Sequence, residues 1–85
     1  MNTEIKEIRT GNVPSEWTVC DDYALRATVG DEIEVTTWEI GIERKIKTKI
    51  SGFYLRRFSV IYLFIDPETG EEREATGDEI QLLIA

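Results

Sequence analysis

The side chains able to do chemistry are few and badly spaced for catalysis. The chain has no histidine, so the usual proton shuttle near neutral pH is missing. Its one cysteine, Cys20, has no histidine to activate it and reads as a small core residue. None of the three serines, Ser15, Ser51 and Ser59, sits in a nucleophile-elbow pattern. Asp21-Asp22 and Asp31-Glu32-Glu34 offer oxygen ligands for a hard cation, but they lack a spaced ligand loop with a central glycine. The expectation is a non-enzymatic chain with no metal and no cofactor.

Binding chemistry is better represented. Arg44, Lys45, Lys47, Lys49, Arg56 and Arg57 supply six of the ten bases, and no acid interrupts the run from Arg44 to Arg57. With Phe53 and Tyr54 alongside, this combines charge and stacking as single-stranded nucleic acid requires. Against it, Glu34 and Glu32 can neutralise Lys47 and Lys49 across a strand pair. Arg56 and Arg57 show no such partner in the sequence. A second cluster is acidic: Glu68, Glu71, Glu72, Glu74, Asp78 and Glu79, opposed within that stretch by Arg73. It would suit a protein partner with a basic surface.

Composition sets the outer limits. Eighty-five residues make one domain with a modest core. The formal charge is -7, from 17 acids and 10 bases, a poor balance for binding duplex phosphates. One cysteine excludes an internal disulfide. Met1 to Thr10 lacks the apolar stretch of a signal peptide. No apolar run approaches the roughly 18 residues that span a bilayer. A cytoplasmic protein without membrane contact, monomer or homodimer, is the expectation.

These residues need elements to hold them. Val29 to Ala85 alternates as strands do. Ile33 and Val35 alternate with Glu32, Glu34 and Thr36, and Ile46, Thr48 and Ile50 with Lys45, Lys47 and Lys49. Centring the connection on Ile40-Gly41 pairs Glu39 with Ile42, Val35 with Ile46, Glu34 with Lys47 and Glu32 with Lys49. A one-residue slip would ruin both faces. Isoleucine at positive φ is strained, so a four-residue loop in the same register is expected. Phe58 to Ile65 is apolar on both sides and reads as a central strand. Asp66 to Gly70 is a turn, Glu71 to Ala75 a short exposed strand, Thr76 to Glu79 one helical turn, and Ile80 to Ile84 the last strand, with Ile80, Leu82 and Ile84 inward. Before Gly30 the pattern is irregular. Residues from Trp17 onward fit helix or strand, and two short strands broken at Asp21-Asp22 are expected.

Simple alternation puts Ile46, Ile50, Ile61, Leu63 and Ile65 on the face of Ile33 and Val35. Phe53, Leu55, Phe58, Val60, Tyr62 and Phe64 fall on the other. Two apolar faces need a cover. Residues 1–28 could supply it with Trp17, Val19, Tyr23 and Leu25. A self-association or partner interface anchored by Trp38, Phe53, Tyr54 and Phe58 is the alternative.

Val29-Gly30-Asp31-Glu32-Ile33-Glu34-Val35, long central strands, a glycine turn, then Thr76-Gly77-Asp78-Glu79-Ile80-Gln81-Leu82-Leu83 resembles the SH3-like small-barrel superfold, which includes KOW, Tudor-like and phage or bacterial accessory domains. The resemblance covers two-thirds of the chain and implies a mostly-β, five-stranded antiparallel barrel over 29–85, with 1–28 as an N-terminal extension packed on the sheet. It does not select a function. Size, acidity and the missing catalytic groups suggest a small protein-binding module. A mobile-element (phage) inhibitor or accessory of a larger bacterial nucleic-acid-processing or defence complex is its narrowest form. Its contacts would come from Trp38, Phe53, Tyr54, Arg56, Arg57 and the acidic cluster. A nucleic-acid-binding barrel using Lys45, Lys47, Lys49, Arg56 and Arg57 is the second choice, and a structural subunit of an oligomer the third.

Overall fold

The computed structural model describes residues 7–18, 27–57 and 59–83. Expectations placed on Val19, Cys20, Asp21-Asp22, Tyr23, Leu25, Phe58 and Ile84 lie outside those residues. The fold is mostly β, with six antiparallel strands: β1 Glu7–Ile8, β2 Glu32–Glu39, β3 Ile42–Arg56, β4 Ser59–Ile65, β5 Glu72–Thr76 and β6 Ile80–Leu82. The strands run in the order β5-β4-β3-β2-β6, with β1 paired to β3 off this path. The sheet does not close into a barrel, and it has one strand more than the five expected, because Glu7 and Ile8 pair with Tyr54 and Phe53. Trp17 sits in a single 3-10 turn, Ser15–Thr18, where strand was expected. Its ring is buried in the main core.

The β2–β3 pairing has the register that alternation demands, from Glu32 opposite Lys49 through Val35 opposite Ile46 to Glu39 opposite Ile42. The connection differs. It is a tight two-residue turn, with Ile40 at φ +52° and Gly41 at φ +73°. Positive φ at both positions matches the right-handed twist of the flanking strands.

One bulge rearranges the core. The β3–β4 register shifts between Ile50, opposite Phe64, and Gly52, opposite Leu63. Past that point an extra residue flips which side chains point inward. The core therefore takes Ile33, Val35, Ile46 and Ile50 from one half of the sheet and Phe53, Val60, Tyr62 and Phe64 from the other. Ile61 and Leu63 are buried as well but lie outside this cluster, and Ile65 is exposed, contrary to uninterrupted alternation. Phe53 and Tyr62 meet edge-to-face at 5.5 Å between ring centroids, a favoured aromatic geometry. Gly52 at the bulge lets β1 approach: a Cβ there would lie 2.9 Å from the Ile8 carbonyl oxygen.

The remaining connections follow their sequence signals. The Asp66 carbonyl accepts from the Gly70 N–H at 2.7 Å, and Gly70 has φ +74°. Gly77–Glu79 forms one 3-10 turn, capped by Thr76 and Glu79 in reciprocal bonds. Ile80 is buried and Leu82 packs on the core.

Candidate functional site

Large apolar side chains gather in the open at one place. At the end of the β2–β3 hairpin Trp38 is 67% exposed, Ile40 100% and Ile42 68%. Scattered exposed apolar residues are ordinary; three within five positions, around a turn, are not. The turn itself sharpens the point. Asparagine before glycine is the favoured pair for a two-residue hairpin connection. Ile40 is β-branched, and its Cβ clashes in the left-handed region. It buries nothing in return.

The hairpin end is held from one side. Strand alternation puts Glu39 and Arg44 on the face of Val35 and Ile46. There they meet the β4–β5 turn. Buried Asp66 accepts from Arg73 Nη1 at 3.0 Å and from the Glu68 backbone N–H at 2.9 Å. Arg73 also donates to Glu39 at 3.0 Å. Arg44 lies 2.6 Å from Glu68 and 3.9 Å from both Asp66 and Glu39. The Glu68 N–H and the Arg73 guanidinium, with Arg44 nearby, hold the Asp66 carboxyl below its ordinary range against the opposing effect of burial. A buried carboxylate with this many donors is satisfied. It fixes the β4–β5 turn against the hairpin, so Trp38, Ile40 and Ile42 project from a braced base.

The basic strip is only partly what the sequence suggested. Lys47 and Lys49 stand opposite Glu34 and Glu32, and Lys45 opposite Thr36. These lysines share a face with Trp38 and with the intervening acids. Arg56 is not without a partner, as had been expected: it lies 3.0 Å from Glu74 and hydrogen bonds to the Tyr54 hydroxyl, with its guanidinium 5.2 Å from that ring's centre. Burial first, then Glu74, raises the Tyr54 pKa, and Arg56 opposes the shift. Arg57 occupies the β3–β4 turn at φ +58°, exposed.

The acidic cluster does not survive as a free patch opposed by Arg73 alone. Glu72 takes two bonds from the Arg9 guanidinium and one from Ser51 at 2.9 Å, and its pKa is lowered, chiefly by Arg9. Glu74 is held by Arg56 and Glu68 by Arg44. Asp78 and Glu79 bond to Thr76. Glu71 is exposed at the turn. Phe53, named as an anchor, is a fully buried core residue, and Tyr54 is half-buried beneath Arg56. Of the expected protein contacts, Trp38 alone joins the exposed hairpin end. Ile40 and Ile42 were not among them. The signal that could have found them was isoleucine beside Gly41, where a turn-former belongs.

Among the described residues no group of three or more acidic or thiol side chains is arranged to hold a metal ion, and no helix is long and apolar enough to cross a membrane. Compared with known proteins, the chain matches no family model, no curated protein and no solved structure.

Proposed function

We propose that the chain is a non-enzymatic protein-binding module that engages its partner with the end of the β2–β3 hairpin. The observation that carries this is Ile40: fully exposed, at φ +52°, between exposed Trp38 and Ile42. A residue that strains the fold and packs against nothing within it is explained by a contact outside it. Aromatic and aliphatic anchors on a rigid base are what a partner's pocket uses for affinity. In its narrowest form the module is an accessory or inhibitor of a larger bacterial nucleic-acid-processing or defence complex. Its size and net charge suit that role. We also propose a relation to the SH3-like small barrels, with the sheet left open. The order β5-β4-β3-β2-β6, with one 3-10 turn between β5 and β6, supports this.

The test is capture of partners from a host lysate after nuclease treatment, using the wild type, Ile40→Asn, Ile42→Asp and Lys47→Glu. A stoichiometric protein retained by the wild type and Lys47→Glu, but lost from both isoleucine variants, supports the proposal. Partners that vanish with nuclease, or with Lys47→Glu alone, would move the function to the lysine face and to nucleic acid.

A further inference from the structure

Among the described residues the hairpin has an open edge as well as an exposed end. β2 is paired with β3 along its whole length, whereas among the described residues its β6 register covers Ile33, Glu34 and Val35. The Leu83 N–H donates to the Glu32 carbonyl at 2.9 Å. That bond sets the phase. Even-numbered residues of β2 turn their backbone groups toward β6, and odd-numbered ones toward β3. Thr36 and Trp38 therefore direct N–H and C=O past Ile80, where β6 begins. Among the described residues neither has a backbone partner on that side. An edge of this kind is a template for another strand.

We propose that this edge takes a second copy of the same chain, β2 against β2, antiparallel about a two-fold axis through Trp38. The idea rests on the reading of this hairpin as a contact surface. Three features select a second copy. The open segment runs from Thr36 to the turn at Ile40 and is centred on Trp38, so each copy supplies the length the other lacks. Trp38 then faces Trp38, Thr36 faces Ile40, and pairing stops in both copies where β6 starts. A register centred on Thr37 would drive Ile40 against Glu34, whose edge Gln81 already fills.

Charge agrees as well. Thr37 falls opposite Glu39, whose carboxylate lies 3.0 Å from Arg73 and 3.9 Å from Arg44 of its own chain. No like charges face each other directly across the new pair, an arrangement that would otherwise destabilise it. The backbone phase also fits. Trp38 opposite Trp38 is a hydrogen-bonded pair, since both residues direct their backbone groups outward. The two indoles lie side by side on the outer face and cover surface that is 67% exposed in one copy. Ile42 lies on the opposite face and stays outside the pair. At -7 per chain the copies repel at long range, so salt should tighten the pair.

Sedimentation velocity of the wild type tests this. A strand pair this short is smaller than a standard interface, so association is expected on the order of 100 µM, within a series from about 10 to about 500 µM. The expected result is a concentration-dependent shift from monomer to dimer, stronger in high salt. Thr36→Pro removes an N–H that β3 does not use, so it blocks the edge and spares the hairpin. Trp38→Lys, at an exposed site, is the second variant. Each should weaken the dimer by roughly tenfold or more, and Ile42→Asp should leave it unchanged. A wild type that stays monomeric throughout overturns the proposal, as does a dimer that survives both edge variants. A monomer that still captures a protein through Ile40 and Ile42 defeats the pairing and leaves the binding function intact. A dimer without such capture does the reverse.

Discussion

Ile40 and Gly52 show opposite uses of a constrained position. At Gly52 the missing Cβ is structural, because the Ile8 carbonyl oxygen would lie 2.9 Å from it and Arg9 Cδ 3.0 Å. Gly52→Ala should push β1 from β3 and cost about 1–3 kcal/mol, as overpacking does, read by denaturant unfolding. An unchanged midpoint would mean that β1 yields freely. At Ile40 the constraint works against the fold. A left-handed β-branched residue costs roughly 1–2 kcal/mol, and full exposure returns nothing by burial. The sequence made this cost readable, and on that ground a longer loop was expected. Ile40 nevertheless adopts φ +52°. The alternation of Glu34 and Val35 against Lys47 and Ile46 extends to Glu39 and Ile42, and it leaves room for two turn residues.

At the scale of elements, the hairpin depends on the β4–β5 turn. Asp66→Asn keeps the shape and removes the charge that Arg73 and Arg44 face. It should lower the melting temperature and speed amide exchange over Thr37–Ile42, while the core strands keep their protection. Equal exchange in mutant and wild type would show that the hairpin stands without the brace. This network was not legible in the chain. Glu39, Arg44, Asp66 and Arg73 come from three strands and a turn, and only the folded sheet brings them together. The same holds for Arg56 with Glu74 and for Arg9 with Glu72, each pair distant in sequence. The bulge was half-legible. Glycine inside a strand often marks one, and Gly52 was there to read. Taken as ordinary alternation, it put Ile61, Leu63 and Ile65 on the face of Ile33 and Val35, where Val60, Tyr62 and Phe64 pack instead; Ile61 and Leu63 are buried outside that cluster, and Ile65 is exposed.

At the scale of the whole molecule, four arginines among the described residues are tied to acids, and two of those acids, Asp66 and Glu72, set the response to pH. Asp66 and Glu72 both titrate below their ordinary values in the folded state. Groups depressed on folding add stability that is fully present above the unfolded value of about 4 and is lost as pH falls through the lower folded value. Stability from these two groups should therefore be level from neutral pH to about 5, then fall below about 4. Denaturant midpoints between neutral and strongly acid pH would show this. In Glu72→Gln the acid loss should shrink, and an unchanged slope would rule out the Arg9 tie as a contributor.

On the proposed function, Ile40 serves a contact and not the fold. The most direct measurement is urea unfolding of Ile40→Asn beside the wild type, with partner capture on the same two proteins. Asn-Gly, the favoured turn pair, should raise stability by about 1 kcal/mol while capture of the partner falls. A variant that loses stability, or gains it and still captures the partner fully, would mean that Ile40 is not held there for a contact.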